Sequence, residues 1–313
     1  MQIWKKLGLI YEVKKSNRHK KLISHAANPL PVHINGDIYR IFYSGRDSHN
    51  RSSVGAVDID ITKRKIVQDY QDPFIEHGPE NSFYANGISI GNCYKVGGKS
   101  YMLFMGWQNP INSHWRGDLG RLMLHSDLTL SLDSIEPIIK KSEIDPLSFS
   151  YPFVLESPNG GFDMWYGSTQ TWDAGNGEML HVINHAYSSD GHEWKATGVT
   201  VPHELGVAQA FSRPSVSKNF KGYGMWFSYR SGTGEKYRIG YATSKNGSSW
   251  TLDLENSGID VSKNGWDSEM IEYPFVFHHE EKTYMLYNGN DYGRSGFGLA
   301  VQAENKKNIN GNF

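Results

Sequence analysis

Short runs of alternating apolar and polar residues recur along the chain at a nearly constant interval. The five clearest are YRIFYSG, YMLFMG, FDMWYG, YGMWFSY and YMLYNG. They begin at Tyr39, Tyr101, Phe162, Tyr223 and Tyr284, so 61 or 62 residues separate each run from the next. Alternation of this kind predicts half-buried β-strands, and a fixed period predicts a repeated supersecondary unit.

Each run is accompanied by further strand patterns. An apolar stretch and a turn precede it, in NPLPVHINGD, GNCYKVGGK, YPFVLESPNG, RPSVSKNFKG and YPFVFHHEEK. A third strand follows most runs, for example VGAVDID after the first and RIGYATSKNGSSW after the fourth. A hairpin with additional strands, repeated at a fixed period, is typical of propeller blades. The sequence therefore predicts an all-β, five-bladed β-propeller with about 61 residues in each blade.

The two chain ends predict how the ring closes. The third and fourth units finish with WKATG and SSWTLD, but the fifth passes from FGLAVQ into the polar ENKKNINGNF. The N-terminal run WKKLG, from Trp4, can supply the missing strand and cover an exposed sheet edge. We expect one domain over residues 1–313, with residues 1–12 closing the last blade and 304–313 forming a polar tail.

Composition excludes several classes of protein. The net charge is −1 and the basic residues are spread along the chain, so nucleic acid is not an expected partner. The single cysteine, Cys93, cannot form an internal disulfide. No apolar run suits a signal peptide or membrane insertion, so we expect a soluble cytoplasmic protein. The thirteen histidines lack metal-cage spacing, so neither a metal nor another cofactor is expected, and the oligomeric state stays open.

The five units resemble the five-bladed glycoside hydrolase superfamily over essentially the whole chain. The resemblance rests on inner strands that open on an x-Pro dipeptide and on the following Y-x-M-x-Y-x-G pattern. This group includes arabinanases, xylosidases, invertases and levansucrases, and is related to mannoside phosphorylases. The resemblance implies a carbohydrate-active enzyme with three acidic residues in an axial funnel. Two carboxyl groups suit the chemistry, because one protonates the leaving group while the other activates water or attacks the sugar.

The acidic residues of that superfamily are not matched. The first unit has Asn28 before proline where the superfamily has aspartate, and Gly91 and Asn92 in the second unit carry no carboxylate. The third unit reads Ser150-Tyr-Pro instead of Glu-x-Pro, and the chain's E-x-P is at Glu272 in the fifth unit. The superfamily trio therefore cannot be transferred to this chain, and Glu272 becomes the principal candidate acid or base.

Candidate site residues come from strand positions expected at one end of the funnel. All inner strands of a propeller run in the same direction, so residues near their starts converge. We expect His25, Asn28, Ser150, Arg213 and Glu272 there. The tyrosines beside the prolines and the ends of the second strands add Arg46, Asp47, Trp107, Gln108, Tyr151, Trp172, Arg230, Tyr273, Asn288, Asp291 and Arg294.

These candidates have different expected roles. Glu272 and Asp47 are the catalytic candidates, and the remaining residues are candidates for substrate binding. Trp107 and Trp172 can offer aromatic faces to the apolar side of a sugar. Each also has a structural interpretation: Glu272 can form an ion pair with an arginine, Asp47 can stabilise a turn, and the tryptophans can pack in the core.

Three functions remain open at this stage. A glycosidase-type enzyme acting on a saccharide is the first. An intracellular glycosyltransferase or glycoside phosphorylase is the second, in which arginines 46, 213, 230 and 294 would bind the phosphate or diphosphate of an activated sugar. The third is a sugar-binding propeller without catalysis.

Overall fold

The computed structural model describes residues 3–14, 16–219, 222–232 and 234–303. The tail predicted for 304–313 lies outside the described residues. The described residues form an all-β structure, which confirms the all-β part of the predicted fold class. Its strands are β1 (Trp4–Tyr11), β2 (Ser24–Asn35), β3 (Ile38–Arg46), β4 (Ser52–Asp60), β5 (Lys65–Asp69), β6 (Gly87–Val96), β7 (Lys99–Gln108), β8 (Arg116–Leu124), β9 (Leu130–Leu132), β10 (Ser148–Glu156), β11 (Phe162–Thr171), β12 (Leu180–Ser188), β13 (Lys195–Val199), β14 (Ser212–Asn219), β15 (Gly222–Tyr229), β16 (Arg238–Ser244), β17 (Trp250–Leu252), β18 (Glu272–His279), β19 (Lys282–Asn288) and β20 (Phe297–Gln302).

The strands form five antiparallel groups in chain order. The groups are β2–β5, β6–β9, β10–β13, β14–β17, and β18–β20 together with β1. One parallel pair, Ser52 with Gly87, joins the first two groups into an eight-stranded sheet. Strand β1 pairs antiparallel with β20, from Trp4 opposite Gln302 to Tyr11 opposite Phe297. The N-terminal run therefore completes the last group, as the sequence predicts.

The first strands of the five groups contact one another in a closed circle. Strand β2 contacts β6, β6 contacts β10, β10 contacts β14, β14 contacts β18, and β18 contacts β2. Apolar clusters lie between neighbouring groups, for example around Phe42 and Phe104 between the first and second. Burying a side chain of this size contributes about 1.5–3 kcal/mol to stability. The two helical turns, Leu254–Asn256 and Asn290–Gly293, are the helical elements of the described ranges, and neither is long or apolar enough to cross a membrane.

Four of the first strands have an unusual backbone just before a proline. The residue before the proline has a positive φ in Asn28 (56°), Tyr151 (35°), Arg213 (48°) and Tyr273 (53°). Each lies where the strand pairing shifts register at a β-bulge. Left-handed backbone outside glycine costs about 1–3 kcal/mol and clusters at functional sites. Bulges also redirect side chains next to active sites.

The bulges show which residues occupy equivalent positions in the first strands of the different groups. The sequence analysis treated Asn28, Ser150, Arg213 and Glu272 as matched positions. In the structure, Asn28 and Arg213 correspond to Tyr151 and Tyr273, while Ser150 and Glu272 lie one residue earlier. The two sets differ because the side chains of consecutive strand residues point to different sides.

Candidate functional site

A cavity of about 430 Å³ lies where all five groups of strands meet, and we call it the central cavity. Six of the sequence candidates line it: Arg46, Trp107, Ser150, Tyr151, Arg230 and Tyr273. The sequence analysis missed its other lining residues, which are Asn50, Ser89, Met105, Asn109, Trp115, Met179, His181, Ser212, Tyr237 and Tyr292. The lining combines aromatic faces with a few polar groups, which is typical of small-molecule sites.

A second cavity, of about 400 Å³, adjoins the first, and we call it the side cavity. Its lining residues are His25, Arg46, Asn50, Asp291, Tyr292 and Arg294. Arg46, Asn50 and Tyr292 line both cavities. The structure therefore brings three more predicted residues, His25 from β2 and Asp291 and Arg294 from the segment after β19, to a place beside the central cavity.

Glu272 is fully buried directly next to the central cavity without being among its lining residues. Within the described chain, neither carboxylate oxygen accepts a hydrogen bond of normal geometry. Burial raises the pKa of Glu272 well above its usual range, against the opposing charges of Arg46, Arg230 and Arg213 and the Tyr273 hydroxyl. Burial therefore favours the protonated, neutral form of the Glu272 carboxyl.

The Arg213 guanidinium binds backbone carbonyls. It donates to the Tyr273 oxygen at 2.6 Å and to the Pro29 oxygen at 2.9 Å, so it ties β14 to β18 and β2. Burial lowers its pKa to about 9. No ion pair joins Arg213 to Glu272 among the described residues, so the proposed structural ion pair is not formed. Arg213 holds the first strands together around the cavity and does not line it.

Tyr151 and Tyr273 form one wall of the central cavity. Their ring centroids are 5.2 Å apart, and both rings pack with Met105. Burial raises the pKa of both phenols, and for Tyr273 the neighbouring Glu272 adds to this effect. Both hydroxyls therefore stay protonated and can donate hydrogen bonds to a bound molecule.

A serine, a histidine and a threonine form a buried chain of hydrogen bonds at the same cavity. The Ser150 Oγ lies 2.7 Å from the His181 Nε2, and the His181 Nδ1 lies 2.7 Å from the Thr169 Oγ1. A Cβ on Gly167 would lie 2.1 Å from the Ser150 Oγ, so this glycine makes the pair possible. Burial and the Arg230 charge lower the pKa of His181 to about 3, which keeps the imidazole neutral. The sequence offered one sign of this site, a histidine near the start of a mainly apolar strand, but His181 was not among the predicted site residues.

Arg230 and Glu178 form an ion pair at the edge of the central cavity. The Arg230 Nη2 lies 2.9 Å from the Glu178 Oε1, and the guanidinium lies over the Tyr237 ring at 4.8 Å from its centroid. Glu178 lies in the loop between β11 and β12 and is buried. The sequence analysis did not select Glu178, because it belongs to no strand pattern.

Both carboxylate oxygens of Asp47 are bound by groups of its own loop. Its Oδ1 accepts the backbone N–H groups of His49 and Arg51, and its Oδ2 lies 2.8 Å from the Arg51 Nη2. Burial opposes these bonds, but they lower the pKa of Asp47 overall. The geometry matches the turn-stabilising interpretation, and Asp47 lines neither cavity. Its loop carries Arg46 and Asn50, so Asp47 can hold those two side chains in place.

The predicted tryptophans differ in their relation to the cavity. The Trp107 Nε1 donates to the Ser52 Oγ at 2.9 Å while the ring lines the central cavity. Trp172 does not line the cavity. It stacks on His114 at 4.5 Å and meets Trp115 edge-on at 5.2 Å, and Trp115 is the ring that lines the cavity. Trp172 therefore supports the aromatic wall from behind.

The predicted amide side chains lie outside both cavities. The Asn288 Oδ1 accepts the Asn28 N–H at 2.9 Å, and its amide nitrogen donates to the carbonyls of Ala26 and Gly296. Asn288 therefore joins the first and last groups of strands. The Gln108 side chain donates to the Ser82 carbonyl at 2.9 Å. None of these three amides lines the cavities.

Three possible metal ligands from the two ends of the described chain lie close together. Asp37, His279 and Glu280 place ligand atoms within 4.8 Å of one another. Both ring nitrogens of His279 already have partners, Asp37 at 2.8 Å and the Tyr39 hydroxyl at 3.1 Å. The histidine spacing could not reveal this cluster, because Asp37 and His279 come from different groups of strands.

Comparison with solved structures defines the class of fold. A GH130 structure, described as part of a family of mannoside phosphorylases that contains glycoside hydrolases targeting β-1,2 mannosidic linkages in Candida mannan, matches with a TM-score of 0.71 at 11% identity, over 96% of this chain and 93% of that one. The endo-arabinase from Bacteroides thetaiotaomicron matches with a TM-score of 0.63 at 12% identity, over 91% and 95%. The chain therefore has the fold of these carbohydrate-active enzymes, which confirms the resemblance at the level of the fold.

Comparison of sequences identifies the family. Two Mycobacterium tuberculosis proteins, Uncharacterized protein Rv1502 and Uncharacterized protein MT1551, are each 40% identical to this chain over 300 residues, which cover 95% of this chain and 98% of each relative. The chain belongs to the same protein family as these two mycobacterial proteins. No family model matches the chain.

Proposed function

We propose that the chain is a single five-bladed β-propeller domain that acts as a carbohydrate-active enzyme of the glycosidase type. The five groups of strands would be its blades, and a glycoside would bind in the central cavity. The observation that carries this proposal is a fully buried carboxyl, Glu272, next in sequence to a tyrosine that lines the cavity, with a pKa that burial raises. A carboxyl whose pKa is raised by burial is the usual proton donor in glycoside cleavage.

Aromatic and polar groups of the cavity suit a sugar. Trp107 and Trp115 line it and can pack against the apolar face of a pyranose or furanose ring. Ser150, Asn50 and Asn109 also line it and can hydrogen-bond to sugar hydroxyls. This combination of rings and a few placed polar groups supports saccharide binding.

Tyr273 can connect Glu272 to the substrate. Its side chain lines the cavity, and its hydroxyl is close enough to the Glu272 carboxyl to lower the pKa of that carboxyl, although no hydrogen bond of normal geometry joins the two groups. In the proposed step the Tyr273 hydroxyl gives its proton to the glycosidic oxygen while the C–O bond to the sugar carbon breaks. A water molecule bonds to that carbon and releases a proton to solvent. Glu272 gives its proton to the tyrosine oxygen and takes up a proton from solvent before the next turnover. This relay makes Glu272 the proton source and Tyr273 the group in contact with the substrate.

A transferase or phosphorylase is a second candidate, because three arginines surround the cavities. Arg46 and Arg230 line the central cavity, and Arg294 lines the side cavity. Guanidinium groups suit the oxygens of phosphate and diphosphate. An incoming phosphate or sugar hydroxyl would then attack the sugar carbon in place of water.

The experiment measures release of 4-nitrophenol from a panel of 4-nitrophenyl glycosides, with and without orthophosphate. Turnover without phosphate supports hydrolysis, and turnover that requires phosphate supports phosphorolysis. Tyr273→Phe should lower turnover by about 100-fold, whereas Tyr187→Phe, at a half-exposed tyrosine on β12, should leave it unchanged. Saccharide binding without turnover on any glycoside, with or without phosphate, would favour the sugar-binding alternative and contradict the enzymatic proposal.

A further inference from the structure

The side cavity holds two arginines that lack a carboxylate partner among the described residues. The Arg46 Nη1 donates to the uncharged Asn50 Oδ1 at 2.6 Å. The Arg294 guanidinium makes no hydrogen bond or ion pair with the described part of the chain. Asp291 lines the same cavity but is exposed and forms no ion pair with either arginine there. Two positive charges, from the partly buried Arg46 and the exposed Arg294, therefore line one small space together with the carboxylate of Asp291.

The acidic residues near Arg46 do not cancel its charge. Asp47, the next residue, is engaged by Arg51 at 2.8 Å. Burial raises the pKa of Glu272, which favours the uncharged carboxyl despite the opposing charge of Arg46, and no ion pair joins Glu272 to Arg46 among the described residues. Glu178, on the far side of the central cavity, is paired with Arg230. The positive charge of Arg46 is therefore available to a ligand.

His25 adds a neutral hydrogen-bonding group to the same cavity. Its side chain is almost completely buried, and its Nδ1 lies 2.9 Å from the Ser24 Oγ. Burial and the charges of Arg46 and Arg294 lower the pKa of His25 to about 3. The imidazole therefore stays neutral and offers Nε2 to a ligand without adding charge.

Left-handed backbone is concentrated around this cavity. Four of its six lining residues have positive φ: His25 (60°), Asn50 (64°), Asp291 (58°) and Tyr292 (57°). Residues other than glycine adopt this conformation uncommonly, Asn, Asp and His more readily than others, and structures keep it mainly at ligand clamps and active sites. The strain places these side chains around the cavity and is a second indication, independent of charge, that the cavity is built for a ligand.

We propose that the side cavity binds an anionic group, a phosphate or a carboxylate, attached to the molecule in the central cavity. Arg46 lines both cavities and would hold the junction between the anion and the sugar. Arg294 would close the other side, with His25 and Asn50 donating further hydrogen bonds. The inference rests on the proposed function only in attaching the anion to a sugar, because binding of a free anion needs no sugar chemistry.

Isothermal titration calorimetry tests the inference with simple probes. Orthophosphate, glucose 1-phosphate, glucuronate and glucose are titrated into the wild-type protein, Arg294→Gln and Arg64→Gln. Arg64 is exposed, lines neither cavity and donates to the Leu7 carbonyl, so its variant is a control for loss of one positive charge. We expect an anionic sugar to bind more tightly than glucose. Arg294→Gln should weaken anion binding by about tenfold or more, and Arg64→Gln should not.

The probes separate the possible sources of the anion. Preference for glucose 1-phosphate and orthophosphate supports a phosphate, and preference for glucuronate supports a carboxylate. The inference is overturned if no probe anion binds, or if Arg294→Gln and Arg64→Gln weaken binding equally. Anion binding by a protein that turns over no glycoside would contradict the proposed function and leave this inference standing.

Discussion

The Ser150 Oγ and the His181 Nε2 lie 2.7 Å apart in the wall of the central cavity. The other ring nitrogen of His181 is bound by Thr169. A serine and histidine at this distance can form a nucleophile and its base. Here the pKa of His181 is lowered to about 3 by burial and by Arg230, and its third partner is an uncharged hydroxyl. The pair is therefore suited to orienting a substrate hydroxyl and poorly suited to accepting a proton.

The first prediction concerns this pair. Ser150→Ala should raise KM by about tenfold with little change in kcat, because one hydrogen bond to the sugar is lost. The pH profile between about pH 5 and 8 should not change, because His181 does not titrate there. Ser217→Ala is the matched control, since its hydroxyl also contacts a histidine, His278 at 3.2 Å, but on the exposed surface. If the pH profile of the wild-type protein falls off near pH 6.5, and this feature is absent from the profile of Ser150→Ala, His181 would instead be identified as a base.

The second prediction concerns closure by the N-terminal strand. Trp4 is buried, its ring lies 5.5 Å from the Trp226 ring, and its backbone N–H donates to the Gly258 carbonyl. Trp4→Ala should lower the free energy of unfolding by about 3–5 kcal/mol. Leu9→Ala, on the same strand at a partly exposed position, should change it by less than about 1 kcal/mol. Equal stabilities of the two variants in urea denaturation would show that β1 does not hold the last group of strands.

The third prediction uses the raised pKa of Glu272. In the unfolded chain this carboxyl ionises above about pH 4.5, whereas burial in the folded protein lets it keep its proton to a higher pH. Its contribution to stability is therefore present at low pH and is lost as the pH rises toward the folded pKa. Glu272→Gln removes this loss, so its stability relative to the wild type should increase by up to about 1.4 kcal/mol for each pH unit above 4.5.

Urea denaturation of both proteins at pH 5, 6 and 7 measures this difference. The two buried histidines, His25 and His181, have lowered pKa values and destabilise both proteins equally as the pH falls below about 6.5. Their contribution therefore cancels in the comparison. A difference between the two proteins that does not depend on pH would show that Glu272 is ionised in the folded state.

The sequence was informative about the fold because strand patterning is local and repeated. The 61-residue period located all five groups, and the interrupted fifth unit pointed to pairing with the run from Trp4. The site was harder to predict because it depends on which side a strand residue faces. The register shifts at the x-Pro bulges put Tyr273 on the cavity wall and Glu272 behind it, and no sequence pattern specifies a bulge.

Loop residues account for the remaining differences. Trp115 lines the cavity from one loop, and Glu178 in another loop pairs with Arg230 of the cavity wall; tertiary contacts set the course of both loops. His181 lies near the start of a mainly apolar strand. Asp47 looked like a catalytic carboxylate because it follows a strand end, but its charge is used within its own turn. Partners of this kind can be identified only when the loop's conformation is known.

The most direct test of the central claim is a double-mutant cycle on Glu272 and Tyr273, using kcat for a 4-nitrophenyl glycoside that the wild-type protein turns over. If Glu272 supplies its proton through Tyr273, then Glu272→Gln, Tyr273→Phe and the double variant should each lose about 100-fold, because either change breaks the same relay. Circular dichroism would establish that all three remain folded. Unchanged turnover in Glu272→Gln, or losses that multiply in the double variant, would contradict the account.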